Sequence, residues 1–316
     1  MIQVPMTAAS LAASRFAVSR MSETVDGLRA LADPTHAAHL QRWLRWVRPR
    51  LRGLDLSLLD ALVRTGGYVP DFLTPPPVGA DRPFADDLDD LLATPADRVR
   101  AEIELAHRGR PLPVRLNMAL ADGEEALLEQ VAVALRQFWR VAMQPCWPAI
   151  GTALDDDIAF RSRVLARHGA ATALSQLDRG LQWDDGCLRI ASPDISETLE
   201  ADWVDAGVVF SPSLFGGPRL YLLLQPLVQT VVYYPVRNMI HGVQPGRDSG
   251  RDGQAELIGH TRARILTLLE RPQTTADLAA RLGLSPSTVS YHLGVLYRAG
   301  LLQRRRNRRR VVYTRV

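Results

Sequence analysis

Six of the seven residues at positions 304–310 are Arg, Asn307 being the exception. Guanidinium groups stay charged and present a planar fork of donors that matches phosphate oxygens. A cluster this dense is suited to neutralising a polyanion. Just upstream, residues 285–300 read Ser-Pro-Ser-Thr-Val-Ser-Tyr-His-Leu-Gly-Val-Leu-Tyr-Arg-Ala-Gly. Wound as a helix, this stretch puts Ser287, Ser290, Tyr291, Gly294 and Arg298 on one face. That face is small, polar and lightly charged, as a helix must be to reach base edges in a major groove.

The elements that would hold these residues can be read from the neighbouring chain. Ser285 is a cap, Pro286 fits the first helical turn, and Gly300 supplies a left-handed stop. Val289, Leu293 and Leu296 form the apolar stripe. Upstream, Thr274-Thr-Ala-Asp277 matches a capping box and opens a second helix with Leu278 and Leu282, ended by Gly283. Two helices around a tight turn make a helix-turn-helix. Residues 256–270 predict a helix behind the pair, carrying Ile258, Ile265, Leu268 and Leu269. Residues 301–315 predict a β-hairpin turning near Asn307, a basic wing beside the second helix.

The string Ser-Pro-Ser-Thr-Val-Ser-Tyr-His-Leu-Gly-Val-Leu, followed by the basic hairpin and Val-Val-Tyr, resembles the recognition helix and wing of ArsR-type winged-helix transcriptional regulators. The resemblance covers roughly the last fifth of the 316 residues. It implies double-stranded DNA as partner. Ser287, Thr288, Ser290, Tyr291 and His292 would lie near base edges and phosphates, with Arg298, Thr274 and Ser285 beside them. Arg304, Arg305, Arg306, Arg308, Arg309 and Arg310 would enter or straddle a minor groove. Metal-sensing members carry a Cys pair in the helix before the recognition helix. Here residues 275–280 have no thiol, so metal sensing by that route is not expected.

Charge is distributed to match. The chain is +4 overall, and residues 255–316 hold 12 Arg against Glu256, Glu270 and Asp277, so residues 1–254 are net −5. A basic tail on an acidic body is the footprint of a polyanion partner. There is no Lys, and the two Cys, Cys146 and Cys187, form neither a disulfide framework nor a metal cluster. Cytoplasmic localisation is expected, with no secretory start and no membrane partner: the most apolar stretch, 220–236, is interrupted by Gln225, Pro226 and Gln229.

The predicted fold is mainly α with a small β component: a helical body and small sheet at 1–243, a Gly-rich linker at 244–254, and the winged helix-turn-helix at 255–316. In the body, Ile2–Pro5 reads as a strand, followed by helices from Thr7 to about Val18, from Ser22, over 35–50, 54–63, 83–92 and 95–108, from about Asp122 to Gln144, and over 150–173. Residues 66–77, Gly-Gly-Tyr-Val-Pro-Asp-Phe-Leu-Thr-Pro-Pro-Pro, read as a rigid strap. Asp185-Gly186 marks a hairpin, and strands are expected at 207–215, 220–224 and 230–235 in one sheet. With Arg15-Phe-Ala-Val-Ser19, the strap motif resembles a group of actinobacterial ArsR-type regulators with a large amino-terminal domain.

No nucleophile elbow, zinc-protease, P-loop or dinucleotide signature occurs, so no catalytic residue, cofactor or metal is expected and the chain is not read as an enzyme. His36 and His39 lack further ligands, and Asp155, Asp156 and Asp157 point in different directions on a helix. The leading expectation is a homodimeric repressor. No helix follows the wing in this sequence, so the dimer interface is expected on the amino-terminal body, with the helix at 256–270 as a second contributor. A pocket for a small apolar or aromatic effector is expected between helices and sheet, near Phe138, Trp147, Phe210 and Tyr233. A body serving only for dimerisation remains open, as do a protein-interaction adaptor and an enzyme fused to a DNA-binding module.

Overall fold

Two strands from the first sixteen residues are built into sheets that the far end of the same unit completes. In the computed structural model, β1 (Ile2–Pro5) pairs antiparallel with β4 (Cys187–Ile190) and parallel with β5 (Leu199–Glu200), while β3 (Leu181–Asp184) closes the hairpin with β4. β2 (Arg15–Phe16) pairs parallel with β6 (Val208–Ser213), which pairs parallel with β8 (Thr230–Pro235), and β7 (Tyr221–Leu223) lies antiparallel on its other side. The single expected sheet is therefore two four-stranded sheets, ordered β3-β4-β1-β5 and β2-β6-β8-β7. The structure describes residues 2–34, 37–63, 68–79, 82–191, 199–200, 207–218, 220–223, 230–237, 259–269, 272–282, 284–307 and 310–315. The expected linker at 244–254, together with His36, Gly283, Arg308 and Arg309, lies outside them.

The chain divides into two compact units, Met1–Pro245 and Gly246–Val316. The fold is mainly α with small sheets. In the first unit, helices Arg20–Ala32, Gln41–Val47, Ser57–Val63, Phe84–Leu92, Ala96–Ala106, Val114–Ala121 and Glu124–Phe138 pack around one core. Its centre holds Trp43, which donates from Nε1 to the Ala142 carbonyl at 3.1 Å and meets Phe215 edge-on. Val114–Ala121 is a helix that the sequence pattern does not announce. Pro111 and Pro113 read as interruptions, but Pro113 sits at the N-cap, where a missing N–H costs nothing. The helix from Thr7 stops at Ala13, well before Val18, because Arg15 and Phe16 are taken up by the sheet.

The expected long helix to Gln144 is not continuous. After Phe138 the backbone widens into a π turn, Trp139–Met143, then tightens into a 3₁₀ turn, Gln144–Cys146, at Pro145. Trp147–Ser175 follows, bent at Gly169 with φ +80°. Within it Asp155 and Asp156 are exposed, and Asp157 is buried. Asp157 pairs with Arg161 at 3.3 Å and accepts from the Arg237 backbone N–H at 3.1 Å, so it ties the helix to the end of β8. His39 Nε2 donates to the Leu214 carbonyl at 2.9 Å, a structural role. Among the described residues, no group of three or more His, Cys, Asp or Glu could hold a metal ion, and no helix is long and apolar enough to cross a membrane.

A polar seam runs between the Arg20–Ala32 helix and the parallel sheet. Glu23, almost fully buried, accepts from the backbone N–H groups of Leu214 and Phe215 at 3.1 Å. Asp26 accepts from the Tyr221 hydroxyl and is paired with Arg29 at 3.4 Å. Burial pushes the Glu23 carboxyl up to about 8, with the nearby Asp26 adding to the rise and hydrogen bonds from Ser213, Phe215 and Leu214 opposing it.

Candidate nucleic-acid interface

The second unit is assembled from local signals that agree with one another. Ser285, in extended conformation, accepts from the Thr288 N–H at 3.2 Å and caps the helix Pro286–Arg298. Val289, Leu293 and Leu296 are fully buried against Ile265 and Leu266 of the helix His260–Leu268, Leu269 just after it, and Leu278 of the helix Thr275–Leu282. Burying each such side chain contributes about 1.5–3 kcal/mol, which fixes which way the opposite face looks. Gly300, at φ +73°, carries the chain out of the helix.

That opposite face is open. Ser287, Thr288, Ser290 and Arg298 are exposed, and Tyr291 is 63% exposed. A Cβ added at Gly294 would meet only Arg298 Nη1 at 3.6 Å, an ordinary contact, so the domain's own packing does not demand glycine there. The hydroxyls of Ser287 and Thr288 each lie 2.8 Å from Ser285 Oγ, forming a small cluster at the helix start.

Two residues grouped with this surface are already engaged. Thr274 forms the capping box: its N–H and hydroxyl donate to Asp277 Oδ2 at 3.1 and 2.7 Å, and its Oγ1 accepts from the Asp277 N–H at 3.3 Å. Its side chain therefore serves the helix start, while its backbone lies in β9 (Gln273–Thr274). His292 is half-buried and turned toward the Arg262 side of the domain. Burial first, then the Arg262 charge, hold its pKa below the ordinary value, and its buried Nδ1 has no partner among the described residues. Its ring meets that of the exposed Tyr291 edge-on at 5.4 Å, leaving one nitrogen unmet.

The wing is an antiparallel hairpin, β10 (Leu302–Asn307) and β11 (Arg310–Arg315), with Asn307 paired to Arg310. Asn307 is thus the last paired residue of its strand instead of the turn itself. β11 also pairs with β9, Val312 opposite Thr274, which fastens the hairpin to the start of the helix-turn-helix. Successive side chains alternate across a strand, so Arg304 and Arg305 serve different faces. Both are exposed, and the Arg304 guanidinium lies 4.7 Å from the Tyr297 ring centroid. Arg306 and Arg310 are placed by backbone pairing alone.

The four expected pocket residues are not brought together. Phe138 is in the helical core, Phe210 packs with Phe16 and Tyr234 on one face of the parallel sheet, and Tyr233 stacks on Tyr221 on the other. β6 and β8 alternate side-chain direction, which separates Phe210 from Tyr233. Of the four, Trp147 lines a cleft with Phe84 and Trp139.

Residues 260–305 match the model of a helix-turn-helix domain, and residues 90–239 match that of a family of unknown function, DUF5937. No curated protein and no solved structure matches the chain. The carboxy-terminal segment is a helix-turn-helix domain of the transcription-regulator type, and the family matched by residues 90–239 carries no assigned activity.

Proposed function

We propose that the protein is a DNA-binding transcriptional regulator of ArsR type, acting in the cytoplasm as a homodimeric repressor whose amino-terminal unit responds to a small molecule. The observation that carries this reading is the exposed small-residue face of the Pro286–Arg298 helix set beside a basic hairpin in one packed domain. Ser287, Thr288, Ser290 and Tyr291 would read base edges, Arg298 would hold phosphate, and Arg304, Arg305, Arg306 and Arg310 would follow the backbone or a narrow minor groove. Arg308 and Arg309 belong to the same charge cluster by sequence. A dimer would read two half-sites about one helical turn apart. The reading assigns no catalytic step to either unit.

The test is selection of bound duplexes from a random library by the full chain, followed by affinity measured against salt. Recovery of a two-fold motif, with affinity falling steeply as salt rises, is the expected result. Recovery of no motif together with flat salt dependence would sink the reading and favour a protein-binding winged helix.

A further inference from the structure

The first unit holds a cleft of about 600 Å³ with an aromatic floor and a cationic rim. The volume is within the range of small-molecule sites and above what a single ion needs. On the floor, Phe84 and Trp139 stack at 4.4 Å, and Trp147 leans on Trp139 at 5.2 Å. Phe84 and Trp139 are buried with their faces stacked on each other, and the half-buried Trp147 is the more accessible of the three rings. At the rim stand Arg20, Arg136 and Arg140. Arg20 lies with its guanidinium 4.8 Å from the Trp147 ring centroid, next to the aromatic floor.

The backbone explains why these groups meet. Arg136 lies in the last turn of a regular helix, and Trp139 and Arg140 occupy the π turn that follows. Trp147 opens the next helix after the Pro145 turn. A π turn costs backbone regularity and is found mostly where a side chain must be re-aimed for a function. Here it points Trp139 and Arg140 into one cleft. Arg20 shares its field with the buried Asp87. Among the described residues, no ion pair involves Arg136 or Arg140.

We infer that this cleft binds a small planar aromatic carboxylate, its ring lodged on Phe84, Trp139 and Trp147 and its carboxylate held by Arg136 and Arg140 with Arg20 beside them. Forked guanidinium donors suit a planar carboxylate, and an aromatic floor suits a planar ring. The inference deepens the sensor reading and rests on it for its regulatory meaning, while occupancy of the cleft stands separately.

The experiment is calorimetric titration of the full chain with 2-naphthoate, and with the uncharged 2-naphthylmethanol as its counterpart. Naphthoate should bind about tenfold or more tightly than the alcohol, the scale of one charge-assisted hydrogen bond. The double variant Arg136→Ala, Arg140→Ala alters only exposed side chains. It should lose that advantage and retain whatever affinity the alcohol has. Equal binding of acid and alcohol, no binding of naphthoate, or a double variant that still prefers the acid would each overturn the assignment. A DNA-binding measurement with and without naphthoate separates the two ideas. Naphthoate that binds with the expected charge dependence but leaves DNA affinity unchanged supports the site and removes the sensor reading. Failure of naphthoate to bind removes the site and leaves DNA recognition untouched.

Discussion

Arg304 on the wing lies over the ring of Tyr297 on the reading helix, 4.7 Å from guanidinium to centroid. The contact joins the two elements proposed to touch DNA, so the wing's angle is set partly by a side chain of the helix. Tyr297 is 40% exposed, which places the pair at the surface, where such contacts are worth about 0.5–1 kcal/mol. A double-mutant cycle with Tyr297→Leu and Arg304→Ala, read by thermal or denaturant unfolding, should return a coupling of about that size. A coupling of zero would mean the wing is held by its strand pairing to β9 and the packing of Leu302 and Tyr313, without help from this contact.

The wing's role in affinity can be counted. Each phosphate contact that is lost should reduce the slope of log affinity against log salt by about 0.9. Arg305 is exposed and has no packing role like that of Arg304. Arg305→Ala should therefore lower the slope by about one contact, weaken binding to all duplexes similarly, and leave the melting temperature unchanged. A change in motif preference instead would give Arg305 a base contact.

Gly294 separates fold from function. Its added Cβ would make one ordinary contact at 3.6 Å, and alanine is a better helix former by about 1 kcal/mol. Gly294→Ala should raise the melting temperature, and Gly294→Leu should leave the domain folded. The leucine would stand on the exposed face and hold the helix off base edges, so DNA affinity should drop sharply in that variant. Full affinity with leucine at this position would place the groove-facing surface elsewhere.

Two buried carboxyls and the half-buried Asp71 give stability a direction with pH. Burial raises Glu23 to about 8, Asp71 to about 7 with the neighbouring Glu102 adding, and Asp87 to about 6. Each folded pKa lies above its unfolded value, so the folded state holds more protons between the ordinary carboxylate range and about pH 8. Stability is fully present below that window and declines as pH rises through it. Melting temperature should fall from about pH 5 to pH 8, and Glu23→Gln, which copies the protonated shape, should flatten the fall. An unchanged profile in that variant would shift the effect to Asp71 and Asp87.

Gly207 is the position where the first unit should be least forgiving. Its φ is +67°, and an added Cβ would come within 2.6 Å of the Ala13 carbonyl carbon and 2.7 Å of the Ser14 nitrogen. Backbone cannot retreat as a flexible side chain can. Just beyond, the Val208 N–H donates to Ser14 Oγ at 2.9 Å. Gly207→Ala should cost several times what a surface change does and should be read as a large fall in unfolding midpoint. A near-neutral result would mean that the Ala13–Ser14 segment can move away.

The second unit was legible residue by residue because its signals are local: the Ser285 cap, the Val289–Leu293–Leu296 stripe, the Gly300 stop and the arginine hairpin each depend on neighbours a few positions away. The first unit was legible in its helices and hairpin and much less in its layers. Nothing near Arg15 and Phe16 indicates that Val209 and Phe210 will claim them, since parallel pairing is specified by distant partners. Thr274 shows a different limit. The capping-box pattern was visible, and it already committed the hydroxyl to Asp277, which makes its grouping with DNA-facing residues the weaker reading. The cleft was missed for a backbone reason. Arg136 and Arg140 are one helical turn apart, but the π turn that swings Trp139 beside Phe84 has no signature in residue spacing.

The capture of β1 and β2 by strands from the other end of the first unit has a consequence for biosynthesis. As the chain leaves the ribosome, Ile2–Pro5 waits for Cys187–Ile190, and Arg15–Phe16 waits for Val208–Ser213. The parallel sheet cannot close until Thr230–Pro235 has emerged. Helices of the core can form early, but their sheet-side surface stays uncovered through most of translation, a period when chaperone contact and aggregation compete with folding.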